Sequence, residues 1–428
     1  MADDVTLSSR EQQKFDIISQ VLHHQMTNGQ AATMLGISPR QVQRLKQPIR
    51  RFGKMAVVHK LIGKKSNHAL AASVKEMVLK TITTTYPDFK PGFATEKLEE
   101  NHQIKLTSQT VRVWMTEAGL WKPRKHKKTG EYRSWRPRKE YFGEMQQFDG
   151  SYHLWFENRY VDGEGIPFEV CLLASIDDAT GKITKATFAT NEGVIAVFTF
   201  WKDYVLTIGK PGIVYLDKFS TYKITHKAAV DNHELMTQFQ RAMQDLSTVM
   251  ISAHSAEAKG RIERLFGTLQ DRLVKEMRLA GINNPRDGNI FLEKVFLPKF
   301  NAKFTVIPAK EGNVHRPLTQ QDTKNLKRIF SVQSRRRVNN DFTIQFKNRW
   351  YQLAEVQPVT VRAKDMVLVE EWLDGTVHFS LREKYLTYIL LPGKPQKVSK
   401  PPVILTTHTL NWKPLPNHPW RQYPDRFS

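Results

Sequence analysis

Three acidic residues, Asp149, Asp217 and Glu263, are of a type and placement that could hold metal ions if folding gathered them. Asp149 interrupts the alternating stretch MQQFDGSYHLW, and a strand interior disfavours an acid. Asp217 ends the apolar run GIVYLD, while Glu263 stands near the start of the long amphipathic segment GRIERLFGTLQDRLVKEMRL. Separations of 68 and 46 residues keep the three apart along the chain, so only folding can gather them. Carboxylates a few ångströms apart repel and raise one another's pKa, an arrangement that becomes favourable when cations share them. Mg²⁺ is the expected occupant because it takes hard oxygen ligands and keeps several waters, and Mn²⁺ is expected to substitute for it. Two such ions about 3.5–4 Å apart activate the attacking oxygen and stabilise the leaving oxygen of an in-line displacement at phosphorus. Water as attacker hydrolyses a phosphodiester; a 3′-hydroxyl in its place transfers a strand. Neither reaction needs a Ser, Tyr or Cys nucleophile. Taken singly, each acid is weak evidence, since Asp or Glu at a strand end or helix start is more often a cap or a surface charge. Asp177 and Asp178 in SIDDATG compete for the role and are read as a turn. Lys259 and Arg264 flank Glu263 and would grip phosphate near the scissile bond, a plain Lys259–Glu263 helix pair being the alternative.

The elements that must position these acids lie between 141 and 300. QQFDGSYHLWF, FEVCLLASIDDATG and KATFAT read as strands, NEGVIAVFTFWKDYVLTIG as a helix, and GIVYLD as a buried strand. HELMTQFQRAMQDL is then helix, VMISA strand, and AEAKGRIERLFGTLQDRLVKEMRLAG a long helix. Three strands followed by alternating helix and strand give an α/β core, a sheet covered by helices. Ahead of it, TNGQAATMLGISPRQVQRLKQPIRRFG predicts helix, tight turn, helix: Thr27 with Gln30 as a capping box, Gly36 in the turn, Ser38 and Pro39 starting the second helix, and Pro48 ending it. Val42 and Leu45 would face inward, leaving Arg40, Gln41, Gln43, Arg44 and Lys46 for base edges or phosphates. A solvated amphipathic hairpin is the competing interpretation. A second helical unit follows, with Val74, Met77, Val78 and Ile82 as its buried face, Val111 and Trp114 in its core, and Gln109 and Arg112 exposed.

Residues 121–140 carry nine Lys or Arg and two Glu among Pro and aromatic residues, which suits an extended strand tracking a phosphate backbone through Arg124, Lys125, Lys127, Lys128, Arg136 and Arg138. Beyond a polar connection, residues 330–391 alternate as strands around an Asp374–Gly375 hairpin turn, and a small β-barrel is expected, contacting DNA or protein. The last 36 residues hold seven Pro and should be extended. The expected boundaries are therefore 1–62 and 63–125 for the two helical units, 126–140 for the basic linker, 141–300 for the core, 301–329 for a connector, 330–392 for the barrel and 393–428 for the tail.

The whole chain supports a polyanionic partner. Among 428 residues, 65 Lys or Arg against 42 Asp or Glu give a net charge of +23, so nucleic acid is the first candidate partner, and the two recognition units favour double-stranded DNA. No apolar run approaches the roughly 18 residues a spanning helix needs, and no basic flank precedes an apolar stretch at the start, so no membrane partner is expected and a cytoplasmic protein is. Cys171 is the single cysteine, which excludes an internal disulfide and any zinc site built on paired thiolates.

The words QQFDGSYHLWFENR, LLASIDDATGKI, YLDKFSTYK and AHSAEAKGRIERLFGTLQDRLVKEMRL resemble those of insertion-sequence transposases of the DDE type, and the chain is most similar to the ISNCY group. The resemblance runs from the paired helix-turn-helix units to the NWKPLPNHPWRQ tail. It implies an integrase-like, RNase H-like core with Asp149, Asp217 and Glu263 as the metal-binding acids. It further implies binding to terminal inverted repeats, a homo-oligomer on transposon ends and target DNA, and Mg²⁺-dependent cleavage and joining. Two departures stand out: Gln270 occupies a place where many integrases carry Lys or Arg, and the long Asp217–Glu263 interval suggests an inserted loop near ITHKAAVDNHE. The rival functions are a non-catalytic DNA-binding regulator derived from such an element and an RNase H-like nuclease acting on branched DNA or hybrids.

Overall fold

Capping chemistry sets the first helices. In the computed structural model, which describes residues 7–59, 70–123, 136–217, 232–253, 260–395 and 413–419, Ser8 caps α1 (Ser9–Leu22) and Thr27 with Gln30 closes a capping box on α2 (Asn28–Leu35). Gly36 then turns the chain at φ 61°, a left-handed conformation that suits glycine, and Ser38 caps α3 (Pro39–Phe52). Ile18, Val21, Ala31, Val42 and Ile49 make one buried core. The expected stop at Pro48 is not where α3 ends. Proline deletes one backbone bond, but Ile49 lies seven residues beyond Val42 on the same buried stripe, and its packing carries the helix on to Phe52.

A second trihelical core follows in α4 (Ala72–Thr85), α5 (Pro91–His102) and α6 (Ser108–Glu117), with Val78, Ile82, Phe93, Leu98, Val111 and Met115 buried. Thr107 caps α6, where the sequence offers Thr107 or Ser108 as the start of the last helix, whereas Met77, expected on the buried face, is 49% exposed and falls outside the core. These helices belong to a unit spanning Met1–Thr129, and the rest of the chain forms a second unit, Gly130–Ser428.

The second unit is built on a five-stranded sheet. Its strands are β1 (Met145–His153), β2 (Val170–Asp177), β3 (Ile183–Ala189), β4 (Ile213–Asp217) and β5 (Val249–Ala253), in the order β3-β2-β1-β4-β5. The first three pair antiparallel, while β1–β4 and β4–β5 are parallel. Parallel neighbours need crossovers, and α7 (Val194–Thr207) and α8 (Asn232–Asp245) supply them, burying Trp201, Tyr204, Phe239 and Met243 against one sheet face with Phe148, Leu173 and Val214. The other face is covered by α9 (Gly260–Leu279) and by α10 (Pro285–Phe291), a π-helical turn (Leu292–Phe296) and α11 (Leu297–Phe304), through Ile262, Leu265, Leu269, Leu292, Phe296 and Phe300.

The segment expected to be a polar connection contributes to this core. In α12 (Gln320–Ile329) the apolar Leu326 and Ile329 bury against α7 and α8, and buried Lys210 reaches Asp322 at 2.5 Å. Burial by itself would raise the Asp322 carboxyl, but hydrogen bonds from Lys210 and Thr319 outweigh it and hold the pKa below the ordinary value. A carboxyl whose folded pKa is depressed contributes stability above its unfolded pKa and loses it as pH falls through the lowered value. Asp322→Asn should therefore cost about 2 kcal/mol at neutral pH, a loss that shrinks as pH falls below the unfolded aspartate value of about 3.9 toward the lowered folded one. Urea titrations at pH 7 and pH 3 check it; an equal loss at both would contradict the ion pair.

Beyond α12, β6 (Val332–Arg337), β9 (Met366–Glu371), β10 (Val377–Leu381) and β11 (Lys384–Tyr385) form one sheet, and β7 (Thr343–Phe346), β8 (Arg349–Leu353) and β12 (Tyr388–Leu391) form another. Both contribute to a single core containing Ile344, Tyr351, Val367, Val369 and Phe379. Among the described residues the hydrogen bonding does not close into the expected barrel. Alternation specifies one apolar face per strand, which two open sheets sharing a core satisfy as well as a barrel does. The tail from 393 onward falls mostly outside the described residues.

Candidate active site

Strand parity decides what β1 shows to each side. Phe148 packs against Phe200 and Trp201 on one face, so Gln147, Asp149 and Ser151 belong to the opposite face, under α9. Two hydrogen bonds fix the helix there: Ile262 N–H donates to Gln147 Oε1 at 3.3 Å, and Gln270 Nε2 donates to Ser151 Oγ at 3.3 Å. Eight helical residues rise about 12 Å and four strand residues about 13 Å, so helix and strand stay in step between those bonds. Asp149 lies midway. Glu263 and Gln270, seven residues apart, share one stripe of α9 to within about 20°, with Gly267 on the same stripe. A Cβ placed on Gly267 would meet nothing within 4 Å, so the space beside it is open. Glu263 is exposed and Asp149 half-buried.

Asp217 enters through the sheet register. Gln146 pairs with Val214 and Gln147 with Tyr215 in the parallel β1–β4 ladder, and two further residues on each strand bring Asp149 level with Asp217, with the same parity. Neighbouring strands stand about 4.8 Å apart. The Asp217 backbone pairs with Ala253 on β5; its side chain lies outside the described set. Among the described residues no group of three or more His, Cys, Asp or Glu forms a metal cluster.

The electrostatics near β1 are negative. Burial pushes the Cys171 thiol up, and the charges of Glu192 and Asp149 push it further in the same direction. Sequence reading missed Glu192, which precedes α7; its carboxyl carbon sits 2.7 Å from where a Cβ on Gly150 would stand. The only local signal was the glycine following Asp149.

Asp177 and Asp178 are fully buried, and their oxygens are already engaged. Asp177 accepts from Gly143 N and Gln146 Nε2 (both 2.9 Å) and from Thr180 N (2.9 Å) and Thr180 Oγ1 (2.7 Å). Asp178 accepts from Arg136, from Arg261 (2.6 Å), from Gln147 Nε2 (2.7 Å) and from Lys139 N (2.9 Å). So many donors leave these carboxylates little capacity for a cation.

The basic residues divide into three groups. Arg40, Gln41, Gln43 and Arg44 on α3, and Gln109 and Arg112 on α6, are exposed, and Lys46 is half-buried. Asn28 donates to Gln43 at 3.2 Å, and the Arg112 guanidinium lies 5.6 Å from the Trp121 ring centre. Arg136 is taken up by Asp178, and Arg138 reaches the carbonyls of Asp178 (3.4 Å) and Ala179 (3.3 Å). Arg264 is exposed and its Nε donates to Gly260 O at 2.7 Å. Arg124, Lys125, Lys127, Lys128 and Lys259 lie outside the described residues. Gln270 is used to bond Ser151. Among the described residues no helix is long and apolar enough to cross a membrane.

Compared with known proteins, the chain is 35% identical over 400 residues to the putative transposase y4bF of Sinorhizobium fredii, covering 94% of this chain and 85% of that one. It is 27% identical over 410 residues to the transposase for insertion sequence IS1202 of Streptococcus pneumoniae, covering 87% of this chain and 85% of that one. No family model matches. Among solved structures, a chain of the simian T-cell lymphotropic virus intasome in complex with PP2A regulatory subunit B56 gamma matches 69% of this chain and 95% of its own length at 13% identity, with a TM-score of 0.32. The HTLV-2 integrase catalytic core in complex with magnesium matches 40% of this chain and 92% of its own length at 16% identity, with a TM-score of 0.27. At those scores the structural likeness supports no conclusion about this chain.

Proposed function

Because the chain belongs to the insertion-sequence transposases, we propose that it binds the terminal inverted repeats of its element and cuts and joins DNA there through Asp149, Asp217 and Glu263. What supports this reading is the register of the parallel β1–β4 ladder, which, continued two residues past its last pair Gln147–Tyr215, would put Asp149 level with Asp217, with α9 tied across the same face of β1. The strand order, three antiparallel strands followed by two parallel ones, supports an RNase H-like core.

The donor set suits Mg²⁺: three hard carboxylates, with no thiolate or imidazole among them. When bound, a pair of such ions would lower the pKa of an attacking water or 3′-hydroxyl and neutralise charge on the leaving oxygen. The chain's own part is to fix positions. The sheet sets two acids on neighbouring strands, α9 brings the third, and the Gln270–Ser151 bond holds helix to strand beyond the open space at Gly267. Purified protein with a labelled terminal repeat and Mg²⁺ should nick or cut the repeat in preference to an RNA–DNA hybrid; preference for the hybrid would favour a nuclease of another kind.

The two helical cores are assigned to end recognition, at 1–62 and 63–125, with α3 and α6 as the reading helices and a homo-oligomer pairing two ends. Exposed Arg44 and Arg112 then touch different parts of one repeat. Arg44→Ala and Arg112→Ala should each weaken binding by roughly tenfold, lower the salt dependence of log K by about one unit where the contact is to phosphate, and shrink opposite ends of the footprint. Identical footprints for both variants and wild type would remove these helices from the assignment.

A further inference from the structure

We propose that Asp178 is a positioning residue for Glu263: acting through Arg261 and Gln147, it fixes where α9 begins over β1. The inference rests on the reading of Asp149, Asp217 and Glu263 as the acids of the site. Asp178 has no solvent exposure; Arg136 and Arg261 face it, and Gln147 and the Lys139 backbone donate to it. Two of those donors lead to the site. Arg261 stands in the first turn of α9, two residues before Glu263, and its other terminal nitrogen donates to Arg136 O at 2.9 Å. Gln147 stands two residues before Asp149 on the same strand face.

The Gln147 amide is oriented by Asp178. Because its nitrogen donates to that carboxylate, its oxygen is left to accept Ile262 N–H, one of the backbone donors that the start of a helix leaves without a partner inside the helix. One buried acid thus determines bonds at residues 261 and 262, adjacent to Glu263, and at 147, adjacent to Asp149 on its face. Asp177 makes the contrast. It is equally buried and equally bonded, yet its partners are Gly143, Gln146 and Thr180, none of them on α9.

Asp178→Asn in the full-length protein tests the proposal, with Asp177→Asn as its partner variant. The side-chain shape is kept, the charge that attracts two arginines is lost, and an amide nitrogen replaces one accepting oxygen, so it faces either the Lys139 backbone donor or the Arg136, Arg261 and Gln147 donors. Single-turnover cleavage of a saturating labelled terminal repeat should slow by at least about tenfold, with the Kd for DNA within about twofold of wild type and a higher Mg²⁺ concentration at half-maximal rate. Hydrogen exchange of the peptide spanning 260–266 should speed up. Asp177→Asn should lower the melting temperature without changing the rate per folded molecule or the exchange of that peptide. If Asp178→Asn does not fold, Arg261→Lys carries the test, since it keeps the charge and loses the fork that bonds both Asp178 and Arg136; it should show the same slow rate and faster exchange. A double variant no slower than the slower single one supports a shared pathway. Wild-type rate and exchange in folded Asp178→Asn or Arg261→Lys overturn the proposal, as does an equal loss per folded molecule in Asp177→Asn. Cleavage that survives Asp149→Asn, Asp217→Asn and Glu263→Gln would instead overturn the site itself, and this proposal with it.

Discussion

Asp149→Asn, Asp217→Asn and Glu263→Gln are each expected to bind a terminal repeat as wild type does and to cleave it at least about a thousandfold more slowly. Each change keeps the size of the side chain and removes the charge that a shared cation requires. Binding should persist because the residues assigned to end recognition lie on α3 and α6, in a unit separate from the one that holds the three acids. The acids act as one chelate, so any two changes together should slow cleavage little beyond one alone. Thermal stability should respond in the opposite sense. With no metal present, clustered carboxylates repel, and removing one should leave the melting temperature unchanged or raise it by a few degrees. Gel assays of a labelled end in Mg²⁺, together with melting curves in EDTA, measure both effects. Cleavage within about tenfold of wild type in any one variant would remove that residue from the chelate, and a melting temperature that falls with activity would point to a structural role.

What the sequence could show follows from the range of each interaction. The strands and helices around the three acids were legible because each is a run of one hydrophobic period, and GIVYLD or GRIERLFGTLQDRL has few alternatives. Capping at Thr27, Ser38 and Thr107 was legible because it is confined to four residues. The order β3-β2-β1-β4-β5 was not, since period alone does not say which strands become neighbours, and the level placement of Asp149 and Asp217 depends on that order. Asp178 read as part of a turn, and it does begin the turn after β2; its burial comes from Arg136 and Arg261, 42 and 83 residues away. Pro48 misled because a local breaker was set against a tertiary contact at Ile49 that the sequence does not display. Leu326 and Ile329 were hidden in a segment rich in charge, where an amphipathic helix of 10 residues offers only a short apolar stripe.

Trp201 carries the largest stability prediction. It is fully buried on α7, edge-on to Phe148 at 5.4 Å between ring centres and tilted against Tyr204 at 4.9 Å and Phe239 at 5.9 Å, so it joins α7, α8 and β1 in one cluster. Trp201→Ala should cost about 3–5 kcal/mol through lost burial and the cavity left behind. That is a large part of the roughly 5–15 kcal/mol that holds a typical domain. Trp201→Phe should cost far less than its lost volume suggests. Among the described residues the buried indole nitrogen of Trp201 has no hydrogen-bond partner, and removing an unmet donor returns about 1–3 kcal/mol. Urea unfolding followed by circular dichroism should therefore place the Phe variant near wild type and the Ala variant well below it. Phe148 and Asp149 are consecutive on β1 and face opposite sides, so repacking beneath Phe148 leaves the acid's face intact, and the Phe variant should cleave DNA at the wild-type rate. A Phe variant as unstable as the Ala variant would mean that the indole N–H is satisfied, by water or by a residue outside the described set, and that its bond contributes to the core.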